Sequence, residues 1–130
     1  MANPDSKTNA SYRFEGQHLL ASYSGCDSER LTDIAGVLDA FKKATVAAGA
    51  TILAESHHVF PPQGLTALLL LSESHASLHT YPEHGSCFAD LFTCGANCKP
   101  ELFHQVMQDY LKPQQVQGKT ILRNTDASAL

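Results

Sequence analysis

The chain has 130 residues, 43% hydrophobic and 17% charged, a balance typical of one globular domain with a single main core. Its formal net charge of −4 argues against general binding to nucleic acid or anionic membranes, because such binding needs clustered Lys and Arg. The basic residues are scattered, and Lys42-Lys43 is the single adjacent pair. The N-terminus has no apolar core of the signal-peptide type, and no apolar run approaches the ~20 residues of a membrane helix. We therefore expect a cytoplasmic protein without a nucleic-acid or membrane partner.

Four cysteines are present, Cys26, Cys87, Cys94 and Cys98, and no secretory signal accompanies them. A disulfide framework is therefore disfavoured. The Cys94-x3-Cys98 spacing and the seven histidines leave a zinc-binding module as one alternative, although structural zinc usually uses two tight ligand pairs. Buried thiols or one functional thiol are favoured, and no metal is expected.

The first half of the chain predicts a strand followed by one long helix. Residues 16–24 form the predicted strand. Asp27 or Ser28 can cap a helix over about residues 29–48, in which apolar side chains recur at helical spacing. Gly49 then ends this helix as a C-terminal cap.

The second half predicts four more strands and one more helix. The predicted strands cover residues 51–60, 64–72, 86–94 and 117–123, and the helix covers residues 100–111 with Pro100 in its first turn. The almost wholly apolar run 64–72 is typical of a strand that is buried on both faces. In the next strand, Phe88, Asp90, Phe92 and Cys94 share one face because side chains alternate along a strand.

The predicted order is therefore β-α-β-β-β-α-β. It indicates an α+β fold, a two-layer α/β sandwich with a mainly antiparallel sheet and both helices on one face. The second sheet face then needs cover, and a second copy of the chain could supply it. We expect a single domain over residues 1–130, with flexible tails at residues 1–11 and 124–130.

The stretch LSESHASLHTYPEHG, residues 71–85, follows an apolar strand and changes abruptly to hydroxyls, imidazoles and carboxylates. Such a change is typical of a scaffold that presents chemistry at its edge. Ser74 and His79 could act as nucleophile and base. However, a hydrolase triad needs an orienting carboxylate, and the Gly-x-Ser-x-Gly elbow is absent. The residue types alone leave a plain polar strand end as an alternative.

Four segments together resemble the prokaryotic-type S-adenosylmethionine decarboxylase family. They are GQHLLASYSGCD (16–27), FPPQG (60–64), SESHASLHTYPE (72–83) and DLFTCG (90–95). The overall match covers about residues 16–123 in consistent order and spacing. Members of that family are small, self-processing, pyruvoyl-dependent enzymes of α/β sandwich fold that assemble as pairs of processed protomers. The resemblance thus implies a homodimer that acts on a small-molecule amine.

The resemblance also implies cleavage between Glu73 and Ser74, which would give fragments 1–73 and 74–130. Ser74 would become a pyruvoyl group, the only cofactor implied, and would form a Schiff base with the substrate. His79 would be the base of the processing reaction, and Cys94 would donate a proton during turnover.

Further positions match the substrate site of the family. Phe60 and Tyr81 correspond to the aromatic residues that stack on adenine, Glu83 to the acid that binds ribose, and Thr66 to a serine that assists processing. Tyr81 stands where the family usually has Trp. The implied function is decarboxylation of S-adenosylmethionine in polyamine biosynthesis. One alternative is the same pyruvoyl chemistry on L-arginine or L-ornithine, and another is an unprocessed homologue that binds or regulates a partner.

Overall fold

The computed structural model describes residues 12–125. This part of the chain contains the strands β1 (Tyr12–Ser24), β2 (Ile52–Val59), β3 (Leu65–Leu71), β4 (Ser74–Tyr81), β5 (Ser86–Gly95) and β6 (Gln115–Arg123), and the helices α1 (Ser28–Thr32), α2 (Ile34–Ala47) and α3 (Pro100–Leu111). A 3-10 turn, Pro82–His84, joins β4 to β5. The predicted tail at residues 1–11 and most of the predicted C-terminal tail, residues 126–130, lie outside the described residues.

The strands form one six-stranded sheet in the order β2-β3-β4-β5-β1-β6, and every neighbouring pair is antiparallel. Short connections make antiparallel neighbours of β2, β3, β4 and β5 in chain order. Helices α2 and α3 pack on each other and on one face of the sheet. The predicted α+β sandwich is therefore confirmed. None of the described helices is long and apolar enough to cross a membrane.

The core lies between the helices and the inward face of the sheet. Inward side chains alternate along each strand, as Ala76 and Leu78 do in β4, and both are fully buried. Phe41 of α2 and Phe103 of α3 are also fully buried and meet edge to face, with ring centroids 6.1 Å apart. This aromatic pair joins the two helices over the sheet.

The opposite face of the sheet, called the open face below, carries large exposed apolar side chains. Leu68 and Leu70 of β3 are 51% and 56% exposed, whereas Leu65, Leu69 and Leu71 of the same strand are buried. The prediction that residues 64–72 are buried on both faces is therefore wrong for one copy of the chain. The apolar pattern is uninterrupted because apolar residues occupy both faces of β3. The helices, however, cover only one of these faces.

The single helix predicted over residues 29–48 is divided into α1 and α2 at Asp33. This residue has an extended backbone, and its carboxylate accepts a hydrogen bond from the N–H of Gly36 at 3.0 Å, which caps α2. The predicted cap at Asp27 is correct, because it accepts a bond from the Arg30 N–H at 3.0 Å. Gly49, with φ +95°, follows the end of α2 as predicted.

Residues 74–81 form a strand that the sequence pattern did not predict. Its inward positions, Ala76, Leu78 and Thr80, are buried, and its outward positions are polar or aromatic. Because two inward residues are small and the outward ones include imidazoles and a hydroxyl, the period-two signal is weak. As a result, the polar part of the stretch that follows β3 lies in a central strand of the sheet instead of at an edge. The predicted helix over residues 100–111 is confirmed at both ends.

Candidate active site

Glu73 lies in the short turn that joins β3 to β4, and it is held from two directions. Its carbonyl oxygen accepts a hydrogen bond from the backbone N–H of Cys94 in β5 at 3.0 Å. Its side-chain Oε1 accepts one from the backbone N–H of Thr51, just before β2, at 2.9 Å. The next residue, Ser74, has φ 149°, a conformation that side chains other than glycine rarely adopt. Backbone strain is therefore located at the predicted cleavage point.

The Ser74 hydroxyl contacts the Cys94 thiol. Ser74 Oγ and Cys94 Sγ lie 3.8 Å apart, a distance suited to a weak hydrogen bond with sulfur, and both residues are partly buried. The structure thus brings together the predicted nucleophile and the predicted proton donor, although they are twenty positions apart in the chain. They meet because β4 and β5 are antiparallel neighbours.

His79 lies at the other end of β4. Its Nδ1 is 3.0 Å from Oγ1 of Thr66 on β3. His79 and Ser74 are five residues apart on one strand, which corresponds to about 17 Å between their Cα atoms. Within one copy of the chain, the predicted base therefore does not contact the predicted nucleophile.

The predicted substrate-binding residues gather near His79. Tyr81 ends β4 and packs edge to face on Phe88, with ring centroids 5.6 Å apart. Glu83 follows in the 3-10 turn and is exposed. Phe60 follows β2, and its N–H donates to the carbonyl of Gly64 at 2.9 Å, so that it lies beside the start of β3. The predicted site residues thus lie in two groups, which we call the two halves, at opposite ends of β4.

Two open clefts lie beside these halves. One of about 210 Å³ borders Cys94 and is walled by Phe14, Phe92 and Arg123. The other, of about 430 Å³, borders His79. Both clefts are lined by a mixture of apolar and polar side chains, and they could accept a small molecule only in part because neither is enclosed.

Asp90 is the centre of a polar network on the open face. His18 Nε2 lies 2.6 Å and His75 Nε2 3.4 Å from Asp90 Oδ2, and the Ser77 hydroxyl donates to Oδ1. Partial burial raises the pKa of the Asp90 carboxyl. The hydrogen bonds from Ser77 and His18, together with the nearby imidazoles, outweigh this effect and hold that pKa below its usual value.

The same network contains the only group of three potential metal ligands among residues 12–125, namely His18, His75 and Asp90. Arg123 Nη1 lies 3.3 Å from His18 Nδ1. A guanidinium group can only donate, so His18 Nδ1 accepts and His18 Nε2 carries the proton that Asp90 accepts. This tautomer favours a hydrogen-bonded chain over a metal site. The group includes no cysteine, so the alternative of a zinc module built on Cys94-x3-Cys98 gains no support.

Sequence reasoning missed the backbone N–H of Cys94, the partners of Asp90 and the position of Arg123. Alternation along residues 86–94 did place Asp90 correctly on one face with Cys94. However, the partners of Asp90 come from β1 and β4, and only the strand order β4-β5-β1 shows that they are its neighbours.

The pH dependence of stability tests the Asp90 network. The unfolded pKa of Asp is about 3.9, and the folded pKa is lower, so the ionised carboxylate stabilises the fold above the unfolded pKa and this contribution is lost as the pH falls through the folded pKa. Asp90→Asn should lower the unfolding free energy at neutral pH by about 1–2 kcal/mol, and the difference from wild type should shrink between about pH 5 and pH 2.

Denaturant unfolding at several pH values measures this difference. Asp39→Asn is the matched control, because its ion pair with Lys43 is exposed and should contribute less than about 0.5 kcal/mol. A loss of stability in Asp90→Asn that stays constant with pH would contradict the assigned charge state.

Residues 17–124 match the family model described as S-adenosylmethionine decarboxylase. The S-adenosylmethionine decarboxylase proenzyme of Methanococcus maripaludis is 40% identical over 108 residues, which cover 83% of this chain and 88% of the relative. The proenzyme of the same name from Parasynechococcus marenigrum is 41% identical over 113 residues, covering 87% and 88%.

A solved structure agrees with these relatives. The crystal structure of the adenosylmethionine decarboxylase from Aquifex aeolicus superposes with a TM-score of 0.77 at 27% identity and covers 90% of this chain and 94% of that one. The family model spans most of the chain, and the two relatives are 40% and 41% identical over 83% and 87% of it. The chain therefore belongs to the S-adenosylmethionine decarboxylase family.

Proposed function

We propose that this chain is a self-cleaving proenzyme that decarboxylates S-adenosylmethionine by means of a pyruvoyl group made from Ser74. The observation that carries the proposal is the geometry at Glu73–Ser74, where a hydroxyl, a hydrogen-bonded carbonyl and a positive φ coincide. The word proenzyme in the names of both relatives agrees with a precursor of this kind.

Cleavage would begin with attack of Ser74 Oγ on the carbonyl carbon of Glu73. The bond from that carbon to the Ser74 nitrogen breaks, so the amide becomes an ester and the nitrogen becomes a free amine. Removal of the Ser74 α-proton then expels the Glu73 carboxylate and leaves dehydroalanine. After tautomerisation to an imine, water replaces the nitrogen, which leaves as ammonia, and fragments 1–73 and 74–130 result.

The residues around the bond suit this chemistry. The Cys94 N–H already donates to the Glu73 carbonyl oxygen, where negative charge develops during the attack, and it would stabilise that charge. When formed, the pyruvoyl group would supply an electron sink for the decarboxylation. The Cys94 thiol, next to Ser74, would then protonate the carbon that loses carbon dioxide.

A second copy of the chain would complete the site. Ser74 and Cys94 lie at one end of β4, and His79 lies at the other. If two open faces pack across a two-fold axis perpendicular to the strands, the His79 end of each copy meets the Ser74 end of the other, and two complete sites form. The exposed Leu68 and Leu70 would be buried in this homodimer.

Substrate recognition would use the residues near His79. Phe60 and Tyr81 would stack on the adenine, and the exposed Glu83 carboxylate would accept hydrogen bonds from the ribose. The names of the relatives favour S-adenosylmethionine over arginine or ornithine, and they do not favour an unprocessed binding protein. We also place the protein in the cytoplasm, in keeping with the free thiols of Cys26, Cys87 and Cys94.

Replacement of Ser74 tests self-cleavage. Purified wild-type protein should give two fragments by intact-mass measurement, whereas Ser74→Ala should remain one chain of 14.0 kDa because it has no hydroxyl to attack Glu73. Ser72→Ala is the matched control in the same turn and should cleave normally. Cleavage of Ser74→Ala would contradict the proposal.

Mixing two inactive variants tests the composite site. Neither Ser74→Ala nor His79→Ala should cleave alone. When the two are expressed together, the His79→Ala chain should be cleaved, because its Ser74 meets the intact His79 of its partner. Up to about half of the His79→Ala chains should be cut if the copies pair randomly. An uncut mixture that forms mixed dimers would rule out His79 acting across the interface.

Cys94→Ser separates processing from turnover. It should still yield both fragments, yet release carbon dioxide from carboxyl-labelled S-adenosylmethionine about 100-fold more slowly, because a hydroxyl is a poorer acid than a thiol. Cys26→Ser, a half-buried cysteine outside the site, is the control. Labelled arginine and ornithine in parallel assays test the substrate. An unchanged rate in Cys94→Ser would remove the thiol from the mechanism.

A further inference from the structure

Thr93 has a buried hydroxyl that bonds nothing. The residue is only 1% exposed, and its Oγ1 is the one buried side-chain oxygen or nitrogen within residues 12–125 that has no hydrogen-bond partner. The other two buried threonines are satisfied: Thr45 donates to the Phe41 carbonyl at 2.8 Å, and Thr80 accepts from the Leu65 N–H at 3.0 Å. A hydroxyl buried without a partner destabilises the fold, so its presence calls for a reason.

The position of Thr93 suggests a reason for its unpaired hydroxyl. Thr93 lies directly opposite Ser74 in the β4–β5 ladder and precedes Cys94 in the chain. Facing side chains in an antiparallel pair have Cβ atoms about 4.5–5.5 Å apart. The Ser74 hydroxyl is engaged with the Cys94 thiol and forms no bond with Thr93. The unsatisfied donor therefore sits beside the residue that the proposed cleavage transforms.

We propose that Thr93 donates a hydrogen bond to the keto oxygen that self-cleavage creates at position 74. This inference rests on the proposed function. In the cleavage, the nitrogen on the Ser74 Cα leaves as ammonia and water supplies the oxygen that replaces it. That oxygen is a new acceptor on the Cα opposite Thr93. The hydrogen bond would polarise the keto group towards attack by the substrate amine.

Removal of the Thr93 hydroxyl should not destabilise the uncleaved precursor. Val has nearly the shape of Thr but lacks the hydroxyl, so removing an unsatisfied donor should leave the uncleaved precursor as stable as wild type or more stable. A hydroxyl with a purely structural role would behave in the opposite way. Thr93→Val therefore separates the two roles before any turnover is measured.

The experiment compares Thr93→Val, Thr93→Ser and wild type. To isolate the precursor, thermal unfolding is measured in the Ser74→Ala background, where Thr93→Val should unfold at the same temperature or higher. In a chain that retains Ser74, Thr93→Val should cleave into both fragments. Its keto group should then react with phenylhydrazine about tenfold more slowly than wild type, whereas Thr93→Ser should react at nearly the wild-type rate. The infrared band of the keto carbonyl, identified by ¹³C-serine labelling, should shift to higher wavenumber in Thr93→Val.

Thr45→Val is the matched control, since it removes a satisfied buried hydroxyl; it should unfold at a lower temperature but react at the wild-type rate. The proposal is overturned if Thr93→Val lowers the stability of the precursor, stays uncleaved, or reacts as fast as wild type. In the last case, the self-cleavage itself stands. A wild-type chain that never cleaves would overturn the proposed function and this inference together.

Discussion

Two hydrogen bonds to Glu73 fix the backbone at the predicted cleavage point. Its carboxylate is bound by the Thr51 N–H next to β2, and its carbonyl is bound by the Cys94 N–H of β5. Both donors lie outside the β3–β4 hairpin, on either side of it. The turn therefore cannot relax independently of the sheet, and the positive φ of Ser74 is retained because its surroundings fix it. A locally unfavourable backbone is thus maintained by long-range strand pairing.

The open face combines exposed apolar side chains with the carboxylate of Asp90. Covering a carboxylate is costly unless it has hydrogen-bond partners. Asp90 already has them within its own chain, from His18, His75 and Ser77. The face can therefore be covered without leaving this charge unsatisfied. Its exposed leucines, by contrast, gain from being covered.

The features that the sequence predicts best are those that depend on local interactions, such as helix caps and first turns. Asp27 caps α1 and Pro100 begins α3 as expected, because caps and first turns depend on neighbouring residues. Strand β4 was missed because inward Ala76 and Thr80 are poor markers of a core face. The same holds for the predicted site. The resemblance points to Ser74 and Cys94 by residue type, but their contact and the separation of His79 from Ser74 follow from strand pairing. A single sequence contains little information about which distant segments pair as neighbouring strands.

The strand order has a consequence for the two fragments that the proposed cut would produce. Fragment 1–73 contributes β1, β2 and β3, and fragment 74–130 contributes β4, β5 and β6, yet the order in the sheet is β2-β3-β4-β5-β1-β6. Strand β1 is thus enclosed between two strands of the other fragment. The pieces could separate only by breaking the β3–β4, β5–β1 and β1–β6 ladders and opening the core. Dissociation would then amount to unfolding, and the nicked protein would persist as one body without a covalent link between its halves.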